Sequence, residues 1–221
     1  MAKIIVVSKL GNQKGQTLLS AHLATFLAAQ HKTAIVDFEP QNHILEMFVA
    51  KRCHFNLKHQ QNLPVPSYFT YKKNLLTEIG ESFDFIVLDT KETVFFQTAD
   101  ILLTLVSDHI AAESLSQKES PFAQMLWQAK KERAKTGKQA FKHILIPNIS
   151  LSSEDMGMLK SAMSLMGYKI APCLHHNPSY AEALHNGLTI LDKDTPYLLK
   201  TLTQEDFFAR RNFMHILQTI W

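Results

Sequence analysis

Six short apolar runs recur along the chain, and their spacing constrains its fold more than any other feature. They cover residues 4–7, 34–38, 85–88, 101–106 and 144–146 and a short run around Ile170. Continuous apolar runs of this length are typical of strands buried on both faces, and a stretch able to form a helix separates each from the next. This alternation predicts an α/β fold with a doubly wound, mostly parallel sheet and helices on both faces.

Composition limits the size and setting of such a fold. With 221 residues and 46% hydrophobic content, the chain can bury one sizeable core, so we predict a single domain over residues 1–221. The only cysteines, Cys53 and Cys173, form no CxxC motif, and no leader or long apolar run is present, which favours a cytoplasmic protein. A net charge of +3 is compatible with an anionic partner without requiring one. Neither Cys53 with its neighbouring histidines nor His175 with His176 offers a zinc-ligand spacing, so no metal is predicted there.

Polar residues follow four of the predicted strands. A loop follows Val7, Asp37 ends the second run, Asp89 ends the third, and Asn148 follows a later one. In open parallel sheets, ligands lie beyond the carboxyl ends of the strands. We therefore expect these four strand ends to face one crevice.

Two further segments differ in the helical periodicity of their apolar residues. Residues 50–71 contain two prolines and little pattern, so we expect a loop excursion there. Residues 204–221 carry apolar side chains at helical spacing, so we expect an amphipathic helix that covers the sheet. The apolar positions are Phe213, Ile216, Leu217 and Ile220. Because Arg210 and Arg211 precede them, a membrane-surface helix is the alternative, and the less favoured one.

The first strand, the loop of residues 8–16 and the helix of residues 17–27 are laid out like a phosphate-binding P-loop. Such a loop needs glycines that let backbone N–H groups reach phosphate, a lysine, and a Ser or Thr hydroxyl for Mg²⁺. Thr17 provides the hydroxyl, but Gln16 stands where the lysine belongs.

Three further motifs carry a family resemblance. Residues 37–41, Asp-Phe-Glu-Pro-Gln, resemble the switch I pattern D-x-D-P-Q, and residues 83–90 resemble the Walker B strand that ends in D-T-P-G-G. Residues 126–148 resemble the pattern W-x-x-x-(R/K)-x-x-R-A-x-x-G-x-x-x-A followed by a strand and Asn. On these residues the chain resembles the deviant Walker-A ATPases of the ParA/MinD group, and within it the MipZ family of division-site regulators.

The resemblance implies a P-loop NTPase fold of ParA/MinD type that binds ATP with Mg²⁺ between two subunits through two lysines. A gapless register places the lysine positions on Gly11 and Gln16; an alternative register matches residues 12–15, Asn-Gln-Lys-Gly, and makes Lys14 the signature lysine. The cofactor-binding residues it implies are Gly11, Lys14, Gly15, Gln16, Thr17 and Asn148. It also implies Mg²⁺ ligands at Thr17 and Asp89, with Asp37 and Glu39 as the nearest catalytic candidates.

The chain departs from this pattern at several points. A charge-assisted hydrogen bond contributes about 1.5–3 kcal/mol, so two missing lysines cost roughly 3–6 kcal/mol, or about 10²–10⁴ in affinity or rate. Glu39 has a longer side chain than the aspartate of the switch I pattern. Lys91 and Glu92 follow Thr90, where the pattern D-T-P-G-G has Pro and Gly. We therefore do not expect ATP hydrolysis. Two possibilities remain for the cofactor of the crevice: ATP with Mg²⁺, or none.

Three functions remain open. The first is a degenerate scaffold that binds a ParB-like or FtsZ-like protein, as a homodimer or with an intact paralogue. The second is an ATP-dependent dimer switch in which Lys9 or Lys14 replaces the lost lysines. The third is a MinD-like peripheral membrane protein.

A basic stretch lies within residues 126–148. Its cations are Lys130, Lys131, Arg133, Lys135, Lys138 and Lys142. Such a run either grips an anionic partner, DNA or protein, or forms a solvated helix face. The stretch at the MipZ family's DNA-binding helix, residues 152–160, has almost no cations, so we do not expect DNA binding by that surface.

Overall fold

The computed structural model describes residues 1–11, 15–148, 151–192 and 203–221, without the side chains of residues 164 and 165. Within these residues, seven strands form one sheet in which every pairing is parallel. The strands are β1 (Lys3–Leu10), β2 (Thr33–Asp37), β3 (Ser67–Thr70), β4 (Phe85–Asp89), β5 (Ile101–Val106), β6 (Lys142–Pro147) and β7 (Lys169–Ile170). Their order is β3-β2-β4-β1-β5-β6-β7, which confirms the predicted fold class.

Helices cover both faces of the sheet. They are α1 (Gln16–Ala28), α2 (Ile44–His59), α3 (Leu75–Ile79), α4 (His109–Ser116), α5 (Pro121–Lys135), α6 (Ser153–Met166), α7 (Pro178–His185) and α8 (Gln204–Ile220), with short 3-10 turns at Pro40–Asn42 and Thr93–Thr98. Alternate residues of β1 feed two separate cores: Ile5 and Val7 pack with α1 and α8, whereas Ile4 and Val6 pack with α4 and α5. The apolar run of β1 is therefore continuous because both faces of the strand are buried, as predicted.

The prediction for residues 50–71 is wrong. The segment begins inside α2, which continues to His59, and it contains β3, the edge strand of the sheet. Helix α2 buries few side chains, and one of them is the charged Arg52, so its apolar periodicity is weak. Strand β3 is short, and none of its residues is fully buried, so it lacks the apolar run by which the other strands are recognised.

The C-terminal helix covers the sheet as predicted. Phe213, Ile216, Leu217 and Ile220 are at most 2% exposed and pack against the core that contains Ile5. This apolar face is therefore unavailable to a lipid surface. Among the described residues, no helix is both long and apolar enough to cross a membrane.

Half of the basic stretch is engaged inside the fold. Arg133 is buried and donates to Asp100 and to two backbone carbonyls. Lys130 donates to the carbonyl of Met166, and Lys142 donates to the last carbonyls of α8. These three cations stabilise helix ends and strand connections, so the stretch is neither a free phosphate-binding patch nor a purely solvated face.

A buried ion pair joins α2 to the segment before residue 193. Arg52 is fully buried, and its guanidinium nitrogens lie 2.6 and 2.7 Å from the two carboxylate oxygens of Asp192. Arg52 also donates to the carbonyls of Pro64 and Gly187, while Asp192 accepts from the backbone and hydroxyl of Thr189. Every charged atom of the pair therefore has a partner in a site that water does not reach.

Helix α1 contributes a second buried polar group, His22. Its Nδ1 donates to the carbonyl of Leu18 at 2.9 Å, and its Nε2 accepts from the backbone N–H of Ile190 at 3.1 Å. Burial lowers the pKa of His22 from 6.5 to about 4, because both nitrogens are satisfied by the neutral ring and charging it would be costly.

We expect the fold to lose stability below pH 6.5 because of His22. The unfolded chain takes up a proton at pH 6.5 while the folded chain resists until about pH 4, so the loss grows through that window to roughly 3 kcal/mol. Urea unfolding at pH 7.5 and pH 4.5 measures the loss, and His22→Gln should remove this part of it. The exposed His54→Gln is the control, and equal pH dependence in all three proteins would contradict the assignment.

Candidate functional site

A cavity of about 570 Å³ opens at the carboxyl ends of β1, β2, β4 and β6. Seven of its lining residues belong to the sequence-predicted set: Lys9, Gly15, Gln16, Thr17, Glu39, Asp89 and Asn148. They come from four strand ends and from the first turn of α1, so the crevice expected from the parallel sheet is present.

Gln16 lies at the base of the cavity, where α1 begins. Its Nε2 donates to the carboxylate of Asp89 at 2.8 Å and to the carbonyl of Val7 at 3.3 Å. The side-chain oxygen Oε1 is buried and has no hydrogen-bond partner. The carboxamide thus bridges β1 and β4 with its donor group and leaves an acceptor unused.

Asp89 collects the hydroxyl and amide donors at this end of the cavity. Ser20 donates to it at 2.9 Å, and Thr17 also hydrogen-bonds its carboxylate, in addition to Gln16. Burial still raises the pKa of Asp89 from 3.8 to about 6, so desolvation outweighs the three hydrogen bonds that favour the charged form.

An ion pair crosses the mouth of the cavity. The ammonium of Lys91, just after β4, lies 2.5 Å from a carboxylate oxygen of Glu39, just after β2. Asn42 donates to the other carboxylate oxygen of Glu39 at 3.3 Å. Both partners are more than a third exposed, so water and salt screen the attraction. The pair thus joins the segment that resembles switch I to the residue that follows the Walker B-like strand.

Two of the predicted residues, Gly11 and Asp37, lie elsewhere. Gly11, with a φ of 95°, faces Ser107 and the carboxylate of Asp108 rather than the cavity. Asp37 is buried behind the cavity lining, where it accepts from the backbone of Glu39 and the hydroxyl of Tyr68, and burial raises its pKa. Lys14 lies outside the described residues.

The family assignment is decided by comparison with known sequences. The sequence model of the family described as ATPase MipZ matches residues 3–220. The chain belongs to the MipZ family. No curated protein sequence matches it.

Solved structures confirm that this MipZ-family chain has the ParA/MinD fold. Apo McdA from Cyanthece is similar with a TM-score of 0.61 and 15% identity over 100% of both chains. An ATP complex of a McdA variant from Cyanothece gives 0.60 and 16% over 96% of both chains. MinD in its MinC complex from Aquifex aeolicus gives 0.56 and 16% over 95% of both. At these identities the likeness concerns the fold alone.

In this MipZ-family chain the polar side chains at the base of the cavity are bonded to one another. The side-chain donors of Gln16, Thr17 and Ser20 are all directed at Asp89. The unused atom beside them, Oε1 of Gln16, is an acceptor and would repel phosphate oxygens. Among the described residues, no three His, Cys, Asp or Glu side chains lie together as metal ligands.

The opposite wall of the cavity was not predicted. It is formed by the loop between β7 and α7 and by the first turns of α7, and includes Leu174, His175, His176, Asn177, Pro178, Tyr180, Ala181 and Leu184. For His175 and His176 the sequence predicted only that they hold no metal. Because the wall follows a strand of two residues, the short run around Ile170 was the one signal that a strand end lay nearby.

We expect Asp89→Asn to stabilise the fold at pH 8 by about 1–2 kcal/mol. Because the folded pKa of Asp89 is raised, the stability linked to its protonated form is lost as pH rises through about 6. Asparagine keeps an acceptor for Gln16 and Ser20 without a buried charge. Urea unfolding should show the full gain at pH 8, about half of it at pH 5 and little of it below pH 4, with the exposed Glu81→Gln as control. A loss of stability at pH 8 would contradict the electrostatic account.

Proposed function

We propose that this chain is a MipZ/ParA-like protein of chromosome partitioning or division-site regulation whose ATP site is degenerate, and that it acts as a folded scaffold by binding a protein partner. One observation carries the proposal: the carboxamide of Gln16 is hydrogen-bonded to Asp89 and Val7 at the place where the family's lysine would reach phosphate. The proposal treats residues 1–221 as one cytoplasmic domain.

Two features of the cavity support the loss of turnover. Glu39 and Lys91 neutralise each other across the mouth, so neither side chain is directed at a γ-phosphate. Asp89 is held by three side-chain donors, and burial raises its pKa to about 6. A Mg²⁺ ion would have to compete with these donors for the carboxylate oxygens.

The relatives indicate the kind of partner to test. MinD from Aquifex aeolicus is found in a complex with MinC, and a Borrelia burgdorferi relative with a TM-score of 0.51 is described as a putative plasmid partition protein. By analogy, we propose that this chain binds a ParB-like or FtsZ-like component, as a homodimer or together with an intact paralogue.

ATP turnover tests this proposal. Purified protein should release phosphate from ATP with Mg²⁺ no faster than Asp89→Ala does. Hydrolysis well above background that is lost in Asp89→Ala would overturn the degenerate site and restore an ATPase.

A second candidate, the ATP-dependent dimer switch, is favoured by one observation. Lys9 lines the cavity, and the N-terminus of α1, capped by Gly15 without a side-chain hydrogen bond, faces the same space. A lysine and a helix N-terminus are both favourable to anions. On this account, Lys9→Gln abolishes nucleotide-dependent dimerisation in sedimentation experiments while Lys58→Gln, on the exposed face of α2, does not. An unchanged dimer in Lys9→Gln would exclude Lys9 as the substitute.

A further inference from the structure

The loop of residues 173–178 sets one dimension of the cavity. The side chain of Leu174 reaches to 3.9 Å from the position that a Cβ on Gly15 would occupy, so this loop lies directly across from the start of α1. On its inner side the loop is fixed to the sheet, because the N–H of Leu174 donates to the carbonyl of Pro147 at 2.7 Å. Any outward movement of the loop would widen the cavity.

On its outer side the loop is held by one side chain of α8. Asn212 donates through Nδ2 to the carbonyl of Cys173 at 2.8 Å and accepts through Oδ1 from the N–H of His175 at 3.2 Å. The hydroxyl of Tyr180 lies 3.3 Å from the same Oδ1 and donates to the carbonyl of Ala209 at 2.6 Å. Asn212 therefore contacts the loop on both sides of Leu174 and also meets the first turn of α7.

Helix α8 is a rigid support for these contacts. Phe213, next to Asn212 in the chain, is fully buried and packs against the rings of His22 and Tyr180. A second bond from the same loop, from Nδ2 of Asn177 to the carbonyl of Glu205, reaches the first turn of α8. The loop is thus fixed between α8 and the carboxyl end of β6.

We propose that Asn212 is a positioning residue for the binding cavity. By fixing residues 173–175 against α8, its amide sets the distance between Leu174 and Gly15 and with it the width of the cavity. The inference goes beyond the proposed function and does not depend on whether the cavity holds a nucleotide.

Amide hydrogen exchange on the full chain without ligand tests the role of Asn212. In Asn212→Ala we expect the amides of both Leu174 and His175 to exchange about tenfold faster, since two hydrogen bonds to the loop are lost. The amide of Leu174 is decisive because its own acceptor is Pro147, not Asn212. Exposed Gln218→Ala, further along the same helix, should leave both amides unchanged.

Asn212→Asp separates the two contacts. It keeps an acceptor for His175 but loses the donor to Cys173, so His175 should remain protected while Leu174 exchanges about threefold faster. Amides of α8 that exchange by local opening should change little in either variant. The free energy of unfolding should fall by no more than the roughly 1.4 kcal/mol to which a tenfold change corresponds, and a purely structural role would exceed that loss. Faster exchange at His175 alone, or an equal rise throughout α8, would overturn the proposal. Because no ligand is used, this outcome is independent of whether the site binds ATP.

Discussion

Arg52→Ala should destabilise the protein by about 3–5 kcal/mol, the largest loss that we expect from one substitution. The change leaves the carboxylate of Asp192 buried without its cation and also removes donors from the carbonyls of Pro64 and Gly187. Truncating one partner of a buried, hydrogen-bonded ion pair is costly because the remaining charge cannot be hydrated. Urea unfolding at pH 7.5 measures the loss.

Two further variants make the Arg52 prediction specific. Lys58→Ala removes an exposed cation from the same helix and should change stability by less than about 0.5 kcal/mol. Arg52→Ala combined with Asp192→Ala should lose clearly less than the sum of the single losses, because the two side chains share one interaction. Additive losses, or a loss below about 1 kcal/mol for Arg52→Ala, would contradict the importance of the pair.

Gln16→Lys should create ATP affinity in this chain. A lysine at the first position of α1 supplies the cation that the cavity base lacks and removes the unpartnered acceptor of Gln16. One charge-assisted hydrogen bond corresponds to about 10- to 150-fold in affinity, so binding should move from beyond the millimolar range toward tens of micromolar. Titration calorimetry with ATP and Mg²⁺ measures the change.

Gln16→Met is the matched control for this gain. It removes the hydrogen bonds to Asp89 and Val7 without adding charge, so it shows whether releasing Asp89 is enough. We expect no gain in Gln16→Met. If both variants gain ATP affinity equally, the amide of Gln16 blocks binding and the lack of a cation is not the cause. If neither variant gains affinity, Gln16 does not determine nucleotide binding.

The sheet could be predicted well because its signal is local and repeated. The run 101–106 is apolar at every position except Thr104, since both faces of the strand are buried. Strand β3 carried no such signal because its residues are only partly buried at the sheet edge. Helix α2 escaped prediction for a related reason: its contact with the fold depends on Arg52, whose partner Asp192 is 140 residues away.

The candidate site was predictable only in part. Strand ends place Asp89, Thr17 and Asn148 around one cavity, as parallel topology requires. The sequence marks Gln16 as a departure from the motif, but only three dimensions show its bonds to Asp89 and Val7. The wall around Leu174 and its attachment to Asn212 depend on contacts between distant segments, for which a single sequence has no local pattern.

The most direct test of a degenerate site is titration of the unmodified protein with ATP and Mg²⁺, with Asp89→Ala as control. The account predicts no saturable heat at millimolar ATP in either protein, because both have Gln16 where the family's lysine would reach phosphate. Micromolar binding that is lost in Asp89→Ala would contradict it and identify the chain as a nucleotide-dependent member of the MipZ family.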